Sequence, residues 1–391
     1  MNIPVTVLSG YLGSGKTTLL QHILHQKEHL KIAVIVNDMS EINIDSQMIK
    51  KHGVIRSDEK LVELQNGCIC CTLREDLLLE VEKLVDENYF DYIVIESSGI
   101  SEPIPVAQTF TYMDEELGVD LSKKCRLDTM VTVVDAEHFW EHYSSGDSLI
   151  ERKQAVSEED EREVVDLLVD QIEFANVILL NKAEMIDKAS LQLLKSFMRK
   201  LNAEAEIIET TYSQVPLENI LNTRSFQFEK ASQSAGWIKE LNEEHVPETE
   251  EYRISSFVFK SKKPFHPTRF MNWLENWPTE VVRAKGFFWL ASRNEEVGLL
   301  SQAGMNVTIS GAGNWVATYP LEERESLLIE DEKLRQTWDH QYGDRLTELV
   351  LIGVSMSHEQ IASSLQECVL TDAEMKSNWK TLADPLPLFR E

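Results

Sequence analysis

Long apolar runs, an excess of basic charge and a large cysteine count are what this 391-residue sequence lacks. No segment approaches the roughly 20 apolar residues of a membrane-spanning helix, so no membrane is expected as a partner. Met1-Asn2-Ile3-Pro4 leads straight into an apolar run without a basic, apolar, cleavable leader, and a cytoplasmic protein is expected. Lys and Arg number 38 against 66 Asp and Glu, a net charge of −28 that repels a phosphate backbone over most of the surface. Nucleic acid is therefore not an expected partner, and the acidic charge reads as a solubility feature. Five cysteines are too few for a disulfide framework, and three of them, Cys68, Cys70 and Cys71, crowd into four residues. Such crowding points to metal or redox chemistry.

What is present is an ordinary globular composition, 42% hydrophobic and 27% charged, on a chain long enough for two domains. The most informative stretch is Gly10-Tyr11-Leu12-Gly13-Ser14-Gly15-Lys16-Thr17-Thr18. It follows an apolar run from Ile3 to Leu8 and opens into Leu19, Leu20, Ile23 and Leu24, spaced as one face of a helix. Strand, glycine-rich loop and helix are the context of a G-x-x-x-x-G-K-[ST] phosphate loop. Glycines let the backbone curl until successive N–H groups and a helix N-terminus converge on one anion. Lys16 is then placed to reach the β- and γ-phosphates, and the Thr17 hydroxyl to hold Mg2+. A nucleotide-binding protein is expected.

Lys31 to Asn37 is a second strand, and strand, helix, strand makes a βαβ unit and hence a parallel sheet. Glu41 and Asp45 follow, where such domains keep a loop that senses γ-phosphate and Mg2+. Next, Leu61 to Leu64 precedes Asn66-Gly67-Cys68-Ile69-Cys70-Cys71-Thr72-Leu73, after which Leu77, Leu78, Val81, Leu84 and Val85 mark one side of a helix. Thiolates on such a turn are soft ligands suited to Zn2+ or Cu(I), and a helix N-terminus favours the deprotonated form. Three ligands leave a tetrahedral ion one short, which fits a site that hands its metal on better than a closed structural zinc. Chance clustering and a redox pair are the competing readings.

Asp91 to Gly99 is an apolar strand ending in Glu96, with Gly99 three residues on. In phosphate-loop proteins an acid at this place orders Mg2+ or the attacking water, and the glycine lets an N–H approach the γ-phosphate. Leu127 to Asp135 is a further strand. His138-Phe139-Trp140-Glu141-His142 matches H-x-x-E-H, but chance accounts for so short a pattern, and its histidines are expected to cap or flank a helix. His22, His25 and His29 share a helix face that reads as solvated or lightly packed. Ser144 to Glu163 is polar and acidic, an expected exposed loop or helical excursion rather than core. Val177-Ile178-Leu179-Leu180-Asn181-Lys182-Ala183-Glu184 restores a strand with polar residues at its C-terminal end, where open parallel sheets bind ligands. Leu191 to Leu201 is helical and Glu206 to Thr211 a short strand. The expected divisions are a first domain over 1–223, a linker over 224–251 with one short helix, and a second domain over 252–391. In the second, strands are expected at 254–259, 281–290, 299–301, 307–310, 315–318 and 345–352, with helices over 267–276 and from a Ser357 cap to Cys368. Its aromatics read as core, and it shows no catalytic constellation.

Gly10 to Thr18, Cys68-Ile69-Cys70-Cys71, Glu96-Ser97-Ser98-Gly99 and Asn181-Lys182-Ala183-Glu184 together resemble the CobW-type metallochaperone GTPases, relatives of the urease and hydrogenase nickel-insertion GTPases. The similarity spans the chain, extends to Lys263-Pro264-Phe265-His266-Pro267 and Gly311 to Trp315, and is nearest to zinc-responsive bacterial members. It implies an α/β phosphate-loop NTPase domain with a mostly parallel sheet, followed by a smaller α+β domain. By this resemblance Gly10, Gly13, Ser14, Gly15, Lys16, Thr17, Thr18, Thr72, Gly99, Asn181, Lys182 and Glu184 bind GTP or GDP. Lys16, Glu96 and Glu41 form the catalytic set, Thr17 and Glu96 hold Mg2+, and Cys68, Cys70 and Cys71 hold Zn2+, with Co2+ as the alternative. The resemblance also implies that Asn181 with Lys182 packs against guanine, and Glu184 stands where the family's guanine motif usually has Asp, a longer reach for the carboxylate that accepts from the base. The implied function is GTP-driven delivery of zinc to a client metalloprotein, with the fourth ligand supplied by the client, by water or by a second subunit of a homodimer. A chaperone for cobalt or another metal in cofactor assembly, and a nucleotide-regulated zinc or redox sensor without efficient turnover, are the alternatives.

Overall fold

The computed structural model describes residues 2–27, 29–37, 60–64, 73–111, 119–155, 160, 162–228, 230 and 253–389. The chain divides into two compact units, Met1–Lys239 and Glu240–Glu391.

Among the described residues of the first unit, seven strands pair in parallel: β1 (Ile3–Ser9), β2 (Ile32–Asn37), β3 (Lys60–Leu64), β4 (Tyr92–Glu96), β5 (Cys125–Asp135), β6 (Val177–Asn181) and β7 (Glu206–Glu209). Their order across the sheet is β3-β2-β4-β1-β5-β6-β7. Central strands such as β4 and β6 are buried at every position, which is why they read as unbroken apolar runs. Alternate side chains feed two cores. Val5, Val7, Ile93 and Ile95 meet Leu77, Leu78, Val81 and Leu84 of α2 (Leu73–Asp86) and Val106 and Phe110 of α3 (Pro103–Thr111). Leu8, Val34, Val36, Val94 and Val133 meet Leu19, Leu20, Ile23 and Leu24 of α1 (Lys16–Gln26). Each such aliphatic side chain contributes about 1.5–3 kcal/mol on burial, so the helix that carries the phosphate loop is held by its apolar face.

The strand ends are aligned. Leu8 pairs with Glu96, Glu96 with Val36, and Val36 with Glu63, so the C-terminal ends of β1, β4, β2 and β3 share one rim. Four further helices follow: α4 (Phe139–Tyr143), α5 (Val164–Glu173), α6 (Lys188–Leu201) and, in the second unit, α7 (Pro267–Glu275).

Below the sheet centre lies a buried polar knot. The fully buried Asp128 carboxylate accepts from Tyr92 Oη at 3.0 Å, Thr129 Oγ1 at 3.0 Å, Arg126 Nη2 at 2.5 Å and the backbone N–H groups of Thr223 at 2.8 Å and Arg224 at 3.1 Å. Tyr92 Oη also accepts from Asn222 N at 3.0 Å, and Thr6 Oγ1 donates to the Ile220 carbonyl at 3.0 Å. Burial of that phenol raises its pKa.

The second unit is an antiparallel sheet, β11-β10-β9-β12-β8, built from β8 (Ile254–Ser261), β9 (Val281–Phe288), β10 (Glu296–Ala303), β11 (Asn306–Asn314) and β12 (Thr347–Val354). Phe270, Trp273 and Leu274 of α7 pack with Phe257, Phe259, Leu349, Leu351 and Leu365 in its core. Trp289, Phe265 and Phe288 are fully buried, as expected of core aromatics. Two expectations are corrected here. Residues 315–318 are not a strand: Val316–Thr318 is a 3-10 turn, because the N–H groups of Val316 and Ala317 go to the Asp344 carboxylate at 2.8 and 2.9 Å instead of to a ladder. Ser357 occupies the N-cap position of α10 (His358–Cys368), yet its side chain makes no capping bond. Two helices, α8 (Leu321–Glu330) and α9 (Glu332–Thr337), precede β12 and were not anticipated. Among the described residues no helix is long and apolar enough to cross a membrane.

Candidate functional site

The phosphate loop joins β1 to α1 through three glycines with φ of +133° at Gly10, +75° at Gly13 and +111° at Gly15. L residues rarely adopt such values, and a Cβ on Gly10 would lie 2.2 Å from the Val133 carbonyl oxygen. The loop is closed by Ser14 N donating to the Tyr11 carbonyl at 3.2 Å. Lys16, 7% exposed, reaches back so that Nζ donates to the carbonyls of Gly10 at 2.9 Å and Tyr11 at 3.3 Å. Among the described residues, the buried Ser14 Oγ of the same loop has no hydrogen-bond partner. A curled backbone, an ammonium across its mouth and an unpartnered hydroxyl suit an anion with several acceptor oxygens.

Thr17, one residue into α1, donates from Oγ1 to Glu96 Oε1 at 2.9 Å. The two residues lie 79 apart in sequence and are joined because β1 and β4 are neighbours with Leu8 opposite Glu96. Glu96 is 1% exposed. A hydroxyl and a carboxylate are hard oxygen donors that fit Mg2+. Gly99 crosses the loop closely: a Cβ there would lie 2.7 Å from Leu12 Cδ2 and 2.8 Å from Leu12 N.

At the end of β6, Asn181 is a brace. Its Nδ2 donates to the Ser14 carbonyl at 2.8 Å, while its Oδ1 accepts from Ser213 N at 2.8 Å and Thr210 Oγ1 at 3.3 Å. Ser213 Oγ completes the link by donating to the Gly15 carbonyl at 3.0 Å. Asn181 thus holds the phosphate loop to the turn after β7. Lys182, at φ +59°, sets its ammonium 2.5 Å from Asp135 Oδ2, and Glu184 is exposed in the following 3-10 turn. Burial pushes the Asp135 carboxyl up, but Lys182 and the bonds from His138 outweigh it and hold its pKa below the ordinary value.

Several residues at this rim carried no signal of their own. Tyr11 Oη donates to Gln154 Oε1 at 2.6 Å and accepts from Arg152 Nη1 at 3.3 Å. Arg152 is in turn held by Asp147 Oδ2 at 2.9 Å and donates to His142 Nδ1 at 2.9 Å. The Ser144–Glu163 stretch is therefore not simply an exposed excursion: Leu149 is fully buried beside Tyr11, because the phosphate loop offers it an apolar partner. His138 occupies the N-cap position of α4 without a side-chain capping bond, and His142 lies within the helix rather than flanking it. Among the described residues, Asp135, Glu137 and His138 bring ligand-type atoms within 4.8 Å of one another, and the Lys182 ammonium already sits on Asp135. Glu41, Cys68, Cys70, Cys71 and Thr72 lie outside the described residues.

Residues 4–209 match the family described as CobW/HypB/UreG, nucleotide-binding domain, and residues 254–369 match the cobalamin synthesis protein CobW C-terminal domain. A zinc-regulated GTPase metalloprotein activator 1 from Dictyostelium discoideum is 47% identical over 404 residues, covering 100% of this chain and 85% of the relative. Zinc chaperone YjiA from Escherichia coli is 30% identical over 297 residues, covering 74% of this chain and 82% of the relative. The crystal structure of Zn(II)-bound YjiA GTPase from E. coli aligns at a TM-score of 0.42 and 21% identity, over 95% of this chain and 100% of that one. Phosphate loop, Thr17–Glu96 pair and two successive domain matches converge, and the chain belongs to the CobW/HypB/UreG family of P-loop GTPases.

Proposed function

We propose that this protein is a GTP-hydrolysing metallochaperone that binds Zn2+ through Cys68, Cys70 and Cys71 and passes it to a client metalloprotein. The observation that carries the reading is the Thr17–Glu96 hydrogen bond of 2.9 Å, which unites the phosphate loop's helix with an acid at the end of a neighbouring strand. Loop glycines, Ser14, Lys16 and Thr18 bind the phosphates, and Lys182 with Glu184 takes the base. Thr17 and Glu96 would hold Mg2+, which supplies charge neutralisation for phosphoryl transfer. Glu96 also serves as the acid that orients water, with Glu41 in the catalytic set. A composition this acidic keeps nucleic acid away, and a homodimer is one source of a fourth zinc ligand.

Coupling between nucleotide and cargo has a topological basis. β3 ends at Leu64, and Cys68 to Cys71 fall in the short connection from there to α2. Three strand spacings separate β3 from β1, so this connection begins about 14 Å from the phosphate loop on the same rim. Glu41 and Asp45 fall in the connection that leaves β2, the strand between β3 and β4. A nucleotide that orders this connection changes the surroundings of the thiolates, and the effect is reciprocal in binding free energy. Zinc affinity measured by competition with a chromophoric chelator is expected to differ between the GTP and GDP forms; equal affinities refute the coupling. Lys16→Ala is expected to abolish turnover and spare zinc binding, and Cys70→Ala to do the reverse.

A further inference from the structure

The phosphate loop of this protein is gripped from outside. Tyr11, its second residue, is only 4% exposed although it lies in a loop that must meet a ligand. Its ring is packed in a small core with Ile100, Leu149, Val164, Leu167 and Leu168, and edge-on to His142 at 5.1 Å between centroids. Its hydroxyl is tied to Gln154 and Arg152 at 2.6 and 3.3 Å. The segment that supplies these two is itself fastened: Leu149 N bonds the Arg162 carbonyl at 2.9 Å, Gln154 N the Leu149 carbonyl at 2.8 Å and Val164 N the Asp147 carbonyl at 3.1 Å. On the other side of the same residue, the Tyr11 carbonyl accepts from Ser14 N and from Lys16 Nζ.

We propose that Arg152, with Gln154, is a positioning residue for GTP turnover, acting through the Tyr11 hydroxyl to fix the phosphate-loop carbonyl on which Lys16 rests. The inference builds on the GTPase reading of the loop. Arg152 does not need to touch nucleotide for this role. Its guanidinium is spoken for by Asp147, Tyr11 and His142, a neutral acceptor whose pKa is held down first by burial and then by the guanidinium itself. Fixing Tyr11 removes backbone freedom that GTP would otherwise have to quench on binding, so the grip stabilises ground state and transition state alike. Loss of uniform binding raises KM and leaves kcat.

Tyr11→Phe keeps the ring in its apolar niche and deletes only the tether, so it tests the role without threatening the fold. In the full chain with Mg2+, Tyr11→Phe and Arg152→Gln are each expected to raise KM for GTP about three- to tenfold, the size of one ordinary hydrogen bond, with kcat within about twofold. Because the two groups act as one unit, the double variant is expected to be no worse than the weaker single variant. Arg152→Lys, which keeps charge and one donor, is expected to fall between wild type and Arg152→Gln. Wild-type KM in both single variants, or a fall in thermal stability with KM unchanged, overturns the proposal. Lys16→Ala separates the two levels. If it binds GTP as tightly as wild type, the phosphate-loop reading itself fails; if it loses GTP while Tyr11→Phe and Arg152→Gln do not, only the positioning role fails.

Discussion

Asn181→Ala discriminates between a residue that touches only the base and one that builds the loop. Asn181 is 3% exposed and makes two short bonds to backbone groups, Ser14 C=O and Ser213 N–H, both at 2.8 Å. Truncation leaves both buried without that partner. Each costs about 1–2 kcal/mol, so the nucleotide-free protein is expected to lose roughly 2–4 kcal/mol. For a unit of this size each kcal/mol moves the midpoint by about 2–4 °C, which puts the expected drop between about 4 and 16 °C. The measurement is thermal unfolding of apo protein, reading the transition that GDP shifts upward. Asn181→Asp sharpens the test, since a carboxylate still accepts from Ser213 N but gives Ser14 C=O no donor; it is expected to recover part of the loss. An apo midpoint within about 1 °C of wild type, with nucleotide affinity nonetheless reduced, refutes the brace and returns Asn181 to a base contact alone.

Three other outcomes follow from the same geometry. Gly99→Ala puts a Cβ 2.8 Å from Leu12 N, a backbone atom rather than the end of a flexible side chain, and is expected to slow single-turnover GTP hydrolysis on the order of 10²-fold by displacing the loop after Glu96; a wild-type rate contradicts this. In the second unit, the bidentate Arg269 contact, joined by the Thr371 N–H, holds the Glu374 carboxyl down at about 2, below its ordinary 4.5. A depressed folded-state pKa contributes stability above about 4.5 that is lost as pH falls through about 2, so the deficit of Arg269→Gln, no more than about 1 kcal/mol for so accessible a pair, is expected to shrink across that window in a pH series of melts. A deficit constant with pH refutes the ionic origin. Burial pushes the Cys125 thiol up to about 12 and the Cys368 thiol up to about 11. A maleimide near neutral pH is therefore expected to spare both in native protein while labelling Cys68, Cys70 and Cys71, and zinc is expected to suppress that labelling; rapid modification of Cys125 or Cys368 counts against it.

Local chemistry was legible in the sequence and long-range chemistry was not. β2, β4 and β6 announce themselves because strands covered on both faces are continuously apolar, while β1 and β5 are apolar runs interrupted by buried polar residues such as Thr6 and Asp128. Lys16, Thr17 and Glu96 were picked out by residue type and lie at one rim, whereas the tie from Asn181 to the Ser14 carbonyl was not legible. α5 was passed over although its pattern is helical: Asp166, Asp170 and Glu173 line one side and Val164, Val165, Leu168, Val169 and Ile172 the other, directly behind an acidic stretch that draws the eye as loop. Trp315-Val316-Ala317-Thr318 looks like a strand by residue type, yet a carboxylate 28 residues away from Val316 takes its N–H. The Tyr11–Arg152 contact spans 141 residues, and no window of a single sequence contains it.

The knot around Asp128 has a mechanical consequence. Ile220, Asn222, Thr223 and Arg224 are moored by Thr6, Tyr92 and Asp128, which belong to β1, β4 and β5. Those are the strands that deliver Gly10, Glu96 and Asp135 at the opposite rim. Tension on the chain beyond residue 224 would therefore load the three strands that carry the nucleotide machinery before it reached any other part of the sheet, making the exit of this domain a natural lever on its entrance.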